Sequence, residues 1–295
     1  DFNPFTDYVE KLEPWDGETD YIGRLANTVQ AEDQEFWKES FRRWFVGMLA
    51  CALQDEQVNH LVIILYSEQG KGKSTWIRRL LPPQWREYYR NGMVNPDNKD
   101  HQLLLSTHLI INMEEFEGAR IGDLAGLKRV ITQESVTERK AYDMQAYNFI
   151  RHASFIASTN NRQCLQDIGG NRRFLPSSII TLDYRTPVNY EGIYAQAYAL
   201  IKEGYRYWYE GEEINELNRH NELHRMKDPV EENLLVYFRK PQPQDYCIKW
   251  MPAAAILSKI AIYGKIQVNR QTIQILVMSL EKYGMTTAEC VKAFN

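Results

Sequence analysis

The chain has 295 residues, of which 44% are hydrophobic and 25% charged, and its formal net charge is -4. This composition is typical of a soluble globular protein and excludes a largely disordered chain. The acidic balance argues against a protein that coats nucleic acid with its whole surface, although it allows a local basic patch.

Four cysteines lie far apart in the chain and form no CxxC pair: Cys51, Cys164, Cys247 and Cys290. Neither a zinc site nor a disulfide framework is therefore indicated. The richest apolar stretch, residues 44–53, is shorter than the roughly 18 to 20 residues that cross a bilayer. We expect a cytoplasmic protein with no secretion signal and no membrane partner.

Residues 1–55 predict an extended lead-in followed by a helical collar. Apolar side chains recur there at intervals of three and four residues, which is helical spacing: Phe36, Trp37, Phe41, Trp44, Phe45, Met48 and Leu49. Such a stripe indicates packing rather than a cofactor site.

Residues 56–185 predict an α/β core with a parallel sheet. Three apolar runs, His60–Tyr66, His108–Met113 and Ala153–Ser158, are typical of strands buried on both faces. A predicted helix, Lys73–Leu81, follows the first run and ends before two prolines. Strands that alternate with helices indicate the α/β class.

The remaining chain predicts mainly helices. We expect a helical lid or linker over residues 186–228, with helices Tyr190–Tyr209 and Glu212–Met226, and a C-terminal helical domain over residues 229–295. Its predicted helices are Val230–Phe238, Pro252–Ile262 and Asn269–Tyr283. The apolar face of the last helix indicates a core. Whether this domain is a winged-helix-like module that binds DNA stays open.

The segment between the first predicted strand and helix predicts an ATP site formed by Gln69, Gly70, Lys71, Gly72, Lys73, Ser74 and Thr75. The two glycines let backbone N–H groups point at phosphate oxygens, and the helix N-terminus adds its positive end. Lys73 reaches the β and γ phosphates, and the Ser74 hydroxyl is a predicted Mg²⁺ ligand. Ser67 stands where GxxxxGK[ST] has its first glycine, so an ordinary strand-to-helix turn is the alternative.

Polar residues end the next two predicted strands. Glu114 and Glu115 follow the second, and we assign Glu114 to the metal and Glu115 to activation of the attacking water. Asn160 follows the third and is predicted to orient that water. The alternatives are a solvated acidic turn and a simple turn-forming asparagine.

Two arginines, Arg172 and Arg173, follow a glycine pair. Guanidinium groups delivered to a neighbour's nucleotide stabilise charge on the transferred phosphoryl group. Structural salt bridges are the alternative for this pair.

With these motifs in order, residues 13–177 resemble the virulence-associated protein E family, the phage and mobile-element ATPases related to superfamily 3 helicases of the AAA+ class. The resemblance rests on Trp15-Asp16-Gly17, Gln69 to Thr75, Leu109 to Glu115, Ser158-Thr159-Asn160 and Gly169 to Phe174. Family members often carry an acid where this chain has Asn112, which affects the metal assignment of Glu114.

The resemblance implies a P-loop ATPase that forms a homo-oligomeric, hexameric ring and uses ATP and Mg²⁺. It also implies a hairpin within residues 134–149 that enters the pore of the ring. Arg139, Lys140 and Tyr142 are the candidates to contact single-stranded DNA there, because cations bind phosphates and an aromatic ring stacks on bases. A solvated hairpin tip is the alternative.

The predicted function is therefore an ATP-driven motor that translocates on or unwinds DNA during replication of a phage or mobile element. The alternative is an ATP-dependent oligomeric switch for phage interference or signalling that moves no DNA. A P-loop small-molecule kinase is less consistent, because such a kinase needs no arginine pair acting on a neighbour.

Overall fold

The computed structural model describes residues 3–54, 57–95, 97–116, 121–138, 147–165, 171–245, 251–285 and 291–292. Its internal contacts divide the chain into two units. The first comprises Asp1–Cys164 and Arg172–His224, and the second comprises Leu165–Asn171 and Arg225–Asn295.

The first unit contains both helices and strands. Its helices are α1 (Pro4–Glu10), α2 (Tyr21–Ala26), α3 (Gln34–Leu53), α4 (Lys73–Arg78), α5 (Lys99–Thr107), α6 (Ile121–Thr132), α7 (Tyr190–Lys202) and α8 (Glu212–Glu222). Its strands are β1 (Val29–Ala31), β2 (Val62–Tyr66), β3 (Tyr89–Asn91), β4 (Ile110–Met113), β5 (Ser135–Glu138), β6 (Tyr147–Ile150), β7 (Ser154–Thr159) and β8 (Phe174–Leu182).

A six-stranded sheet in the order β1-β8-β2-β7-β4-β3 forms the centre of this unit. All neighbouring strands are parallel except β1, which runs antiparallel to β8. The fold is thus a mixed α/β fold with a mostly parallel sheet. The three predicted strands are confirmed as β2, β4 and β7, and β8 is a strand that the sequence did not predict.

Helix α3 confirms the predicted apolar stripe and links the sheet to α4. Trp44 is fully buried, and its indole Nε1 donates to the Phe155 carbonyl of β7 at 2.7 Å. Trp76 of α4 packs against Trp37, with ring centroids 5.8 Å apart, and donates to the Thr28 hydroxyl at 2.8 Å. Because buried aromatic side chains contribute strongly to packing, α3 holds α4 in place against the sheet.

Helix α7 ends at Lys202 rather than at Tyr209, so the predicted length was wrong. Gly204 has φ 78° and ends the helix, and the N–H groups of Gly204 and Tyr205 bond the carbonyls of Ile201 and Leu200. This pattern of bonds is a common helix C-cap. It favours glycine at the position of Gly204, because the backbone there is in the left-handed region. The predicted helix Glu212–Met226 is likewise shorter and ends at Glu222.

The second unit contains α9 (Pro229–Tyr237), β9 (Phe238–Arg239), α10 (Ala253–Gly264), α11 (Arg270–Lys282) and β10 (Val291–Lys292). Strands β9 and β10 pair antiparallel. The three helices surround a core of Val230, Leu234, Phe238, Ile256, Leu257, Ile260, Leu276, Leu280 and Met285. The three predicted helices of this segment are confirmed.

Within the described ranges, no helix combines the length and the apolar character needed to span a membrane.

Candidate functional site

The loop between β2 and α4 has a backbone that requires glycine at two positions. Gly70 and Gly72 have φ angles of 82° and 89°, which residues with a Cβ rarely adopt. A Cβ on Gly72 would also lie 2.6 Å from the ring of Tyr184, whereas a Cβ on Gly70 would meet no atom within 4 Å. Gly70 therefore supplies backbone conformation, and Gly72 supplies both conformation and close packing.

The side chain of Lys73 is held by oxygen atoms at the first residue of this loop and at the end of β7. Its Nζ donates to the Ser67 carbonyl at 2.8 Å, to the Ser67 hydroxyl at 3.0 Å and to Asn160 Oδ1 at 2.8 Å. Ser67, which the motif treats only as a departure from glycine, thus binds the lysine with its own hydroxyl. A glycine there could not make that bond.

The parallel sheet brings three strand ends to one edge. Tyr66 of β2 pairs with Thr159 of β7, and Ala157 of β7 pairs with Met113 of β4. The residues that follow these strands therefore lie side by side. They surround a cavity of about 690 Å³ that is lined by Gln69, Gly70, Lys71, Gly72, Lys73, Ser74, Thr75, Gly92, Met93, Glu114, Glu115, Ser158, Thr159 and Asn160.

Ten residues predicted from separate motifs line this one cavity. They are the seven from Gln69 to Thr75, the two carboxylates Glu114 and Glu115, and Asn160. The cavity thus combines an ammonium group, hydroxyls and backbone N–H groups on one loop with carboxylates and an amide on the adjacent strand ends. Such a set can bind a polyanion and position a polar reactant beside it.

The two acidic residues have different surroundings. Glu114 is half-buried and accepts a long hydrogen bond of 3.4 Å from Asn112, which is fully buried and also donates to Asn91 at 3.1 Å. Glu115 is exposed and has φ 53°, which is uncommon for a residue with a side chain. The next residue, Phe116, is 1% exposed. The left-handed turn at Glu115 keeps its carboxylate in the cavity wall while the chain returns to the core.

Sequence reasoning missed four residues of the cavity wall: Gly92, Met93, Ser158 and Thr159. Gly92 has φ 119°, and its N–H bonds the Asn112 carbonyl at 2.9 Å, so it continues the edge strand β3 into the cavity wall. A glycine directly after a three-residue strand is a weak signal, because the strand itself is too short to be recognised. Ser158 and Thr159 lie within the predicted motif Ser158-Thr159-Asn160, which could have indicated them.

Arg172 and Arg173 lie at the opposite edge of the sheet from the cavity. The carbonyl of Arg173 accepts from Val62 N at 2.8 Å, and Phe174 pairs with Val62, the first residue of β2. Arg172 is exposed and Arg173 is half-buried. Burial and the positive charges of Arg151 and Arg173 lower the pKa of His60 beside them. The arginine pair therefore does not contribute to the cavity of its own chain.

The hairpin implied by the family resemblance is represented by β5 and β6, which pair antiparallel from Ser135 with Ile150 to Glu138 with Tyr147. Arg139, Lys140 and Tyr142, the predicted DNA contacts, lie outside the described residues. Their assignment stays a prediction.

The fold and the cavity define a class of α/β protein with a glycine-containing loop and a lysine at the carboxyl edge of a parallel sheet. The sequence profile of the virulence-associated protein E-like domain matches residues 9–226. The chain belongs to this family, which confirms the resemblance. Comparison with curated proteins gives no match.

Among solved structures, the chain is similar to the C-terminal region of NrS-1. It is 19% identical to the A form apo structure of that region, with a TM-score of 0.39. The match covers 74% of this chain and 48% of the NrS-1 chain. For the apo structure of residues 305–718 of NrS-1, the identity is 15% and the TM-score is 0.44. That match covers 95% of this chain and 70% of the NrS-1 chain. The chain thus spans about half the length of the first structure.

Proposed function

We propose that this protein is a P-loop ATPase of the AAA+ class, related to superfamily 3 helicases, that acts as a ring motor on DNA in replication of a phage or mobile element. The observation that carries the proposal is the 690 Å³ cavity, where Lys73, two left-handed glycines, two carboxylates and Asn160 meet at one sheet edge. Family membership supports the association with phages and mobile elements.

The loop suits a triphosphate because its polar groups face a cavity rather than the core. Open space around Gly70 leaves room for phosphate oxygens to approach the backbone, and successive N–H groups in such a loop form an anion-binding concavity. The Lys73 ammonium would exchange some of its oxygen partners for phosphate oxygens. The hydrogen bonds from Lys73 Nζ to the carbonyl and hydroxyl of Ser67 would then keep the ammonium group close to the loop.

A magnesium ion fits the donor set. Among the described residues, no group of three or more His, Cys, Asp or Glu side chains could hold a metal ion. Mg²⁺ in nucleotide sites commonly has one or two protein ligands and completes its shell with phosphates and water. Ser74 and Glu114 line the same cavity and would hold it. The ion would neutralise charge on the β and γ phosphates.

Glu115 and Asn160 are proposed to position the attacking water. Glu115 is exposed to the cavity, and its carboxylate can accept a proton from a water molecule held in front of the γ phosphate. Asn160 accepts a hydrogen bond from Lys73 and would lie beside a phosphoryl group bound by that lysine. Orienting water and neutralising charge account for most of the catalysis of phosphoryl transfer.

The arginine pair is proposed to act on the nucleotide of a neighbouring copy. Arg172 and Arg173 lie at the far edge of the sheet from their own cavity, so they can reach a nucleotide only if another copy presents its cavity to that edge. Contacts of this head-to-tail kind close into a ring when the rotation between copies allows it. A hexameric ring with the hairpin tips around single-stranded DNA follows as the proposed assembly.

The test is the rate of ATP hydrolysis by the purified chain with Mg²⁺, in the presence and absence of single-stranded DNA. The motor proposal predicts hydrolysis that DNA stimulates several-fold, and loss of the stimulation in the double variant Arg139→Ala with Lys140→Ala. Hydrolysis and assembly that no DNA of any length affects would instead support an ATP-dependent oligomeric switch.

A further inference from the structure

The second unit concentrates the positive charge of an otherwise acidic chain. Its two segments, residues 165–171 and 225–295, contain ten Lys and Arg and seven Asp and Glu, a formal charge of +3, whereas the first unit carries -7. A basic module within an acidic protein is a signature of an anionic partner. The longer segment, residues 225–295, lies almost entirely beyond the match to the family, which ends at residue 226.

Part of the negative charge in this unit is neutralised internally. Glu231 is fully buried, forms an ion pair with Arg225 at 2.5 Å and accepts from the Tyr283 hydroxyl at 2.6 Å. Burial opposes its ionisation, but the hydrogen bonds of Arg225 and Tyr283 and the nearby charges lower its pKa to about 2. Asp245 likewise pairs with Arg239. Each of these pairs removes one acid together with one cation, so the positive balance of the unit lies on the side chains outside the pairs.

Helices α10 and α11 form a helix-turn-helix. Lys265, with φ 51°, ends α10, and Asn269 begins α11 with a capping box in which Asn269 and Thr272 bond each other's backbone N–H groups. A Cβ on Gly264 would lie 2.8 Å from Asn233 Nδ2, so α9 and α10 approach closely at the turn. The element order α9, β9, α10, α11, β10, with β9 paired to β10, is that of winged-helix modules.

Helix α11 has one buried face and one exposed face. Leu276, Ser279 and Leu280 are completely buried in the core. The exposed side chains of its first two turns are Arg270, Gln271 and Gln274, followed by Met278, which is 41% exposed. Arg270, Gln274 and Met278 recur every four residues and so form one stripe. The exposed acid Glu281 lies in the last turn, away from the helix start.

The chemistry of this stripe matches base edges in duplex DNA. Arginine binds guanine through two hydrogen bonds, glutamine binds adenine in the same manner, and an apolar side chain contacts the thymine methyl group. Lys259 and Lys265 are exposed and make no ion pair with any residue that the structure describes, which leaves them available for phosphates. Met278 is the single apolar member of the stripe, and three further exposed apolar side chains, Ile262, Tyr263 and Val268, lie near the turn before α11.

We infer that the second unit binds double-stranded DNA, with the start of α11 in the major groove and Gln271 and Gln274 reading bases. In helix-turn-helix proteins, the second helix enters the groove with its N-terminal residues facing the base edges. This duplex site is separate from the proposed ATPase site and needs no nucleotide.

The experiment measures anisotropy of a fluorescein-labelled, random-sequence 20-bp duplex with the full chain, without nucleotide, at low salt. The triple variant Arg270→Ala, Gln271→Ala, Gln274→Ala is compared with Arg219→Ala, which removes an exposed arginine from the first unit. We expect the wild type, Arg219→Ala and Lys73→Ala to bind alike, and the triple variant to bind about tenfold or more weakly. Retained binding in Lys73→Ala separates this site from the ATPase.

Two further measurements make the outcome decisive. Selection from a random duplex library should enrich a short motif with the wild type, and the variants Gln271→Ala and Gln274→Ala should lose this enrichment. In the anisotropy measurement, Arg270→Glu should weaken duplex binding more than Arg270→Ala, because it reverses a charge. Circular dichroism checks that each variant is folded. No binding of duplex by the wild type, or equal affinity of the folded triple variant and Arg219→Ala, would overturn the inference.

Discussion

The ammonium group of Lys73 and the side-chain oxygen of Asn160 lie 2.8 Å apart, although 87 positions separate the two residues in the chain. The bond is possible because β2 and β7 are parallel neighbours, so the loop after β2 lies beside Asn160, the residue that follows β7. In the proposed function, a phosphoryl oxygen bound by Lys73 would therefore be within reach of Asn160. This relationship yields a prediction that separates binding from turnover.

Two substitutions of Asn160 should have different effects. Asn160→Ala removes only the amide, so ATP turnover should fall about tenfold or more while affinity for ATP changes little. Asn160→Asp puts a carboxylate against Lys73, where it pairs with the ammonium and repels phosphate, so ATP affinity should fall about tenfold or more. Titration with a fluorescent ATP analogue and steady-state kinetics measure both effects. Equal affinities of the two variants would argue against direct contact with the nucleotide.

Glu115→Gln should bind ATP but hydrolyse it slowly. The amide keeps the size of the side chain and loses the proton acceptor, and removal of a general base costs roughly 10² to 10⁴ in rate. Single-turnover hydrolysis and ATP binding should be measured together. As a control, Glu35→Gln removes an exposed carboxylate from α3 that is distant from the loop in sequence and absent from the cavity wall. Near-normal turnover in Glu115→Gln would shift the proposed role to Glu114.

Mixing two inactive variants should restore activity if the arginines act between copies. Lys73→Ala lacks a competent loop but keeps its arginines, and the double variant Arg172→Ala with Arg173→Ala has the reverse defect. A mixed assembly contains some interfaces with one intact loop and one intact arginine pair, so ATPase activity should reappear in part. Absence of rescue in assemblies shown to be mixed would mean that the arginines have another role.

The buried His224, which follows α8, predicts a loss of stability in mild acid. Burial, opposed by a bond to the Arg162 carbonyl, lowers the pKa of His224 to about 4. The unfolded chain takes up this proton near pH 6.5, so between pH 6.5 and 4 the unfolded state binds more protons and stability falls as pH falls. The free energy of unfolding should drop by about 2 kcal/mol between pH 7 and 5 from this group.

Urea unfolding at several pH values measures this effect. His224→Gln should flatten the dependence between pH 7 and 5, whereas His101→Gln, on the separate helix α5, should leave it as in the wild type. A slope that His224→Gln does not change would mean that other groups cause the loss.

The fold could be predicted where the sequence alone determines burial. The strands β2, β4 and β7 are continuous apolar runs, so their burial on both faces follows from composition. The motifs at their ends then predicted ten residues of the cavity wall, because parallel strands present their carboxyl ends at one edge. Bounds of helices were less predictable, as the glycine cap after Lys202 illustrates.

Strand β8 could not be predicted, because Pro176 lies within it and proline is normally confined to edge strands. The structure explains how β8 accommodates this proline. Strand β1 pairs with β8 only from Ile179 onward, so one side of Pro176 faces no strand. Helix α8 occupies that side, where His220 Nε2 donates to the Pro176 carbonyl at 2.8 Å and Asn221 donates to the Phe174 carbonyl at 3.1 Å. Such contacts join segments far apart in sequence and leave no local signal.

The role of Ser67 was hidden for a similar reason. Comparison with a motif marks it as a missing glycine, whereas its hydroxyl bond to Lys73 depends on how the loop folds back on itself. Sequence patterns show which residue types are present, and the tertiary structure decides which of them meet.

The central claim is that the loop after β2 binds the phosphates of ATP, and isothermal titration of the purified chain with Mg·ATP tests it most directly. Wild type and Lys38→Ala, which removes a half-buried lysine of α3 that is absent from the cavity wall, should bind ATP with equal affinity. Lys73→Ala should lose most of that affinity. Failure of the wild type to bind Mg·ATP, or wild-type affinity in Lys73→Ala, would contradict the account.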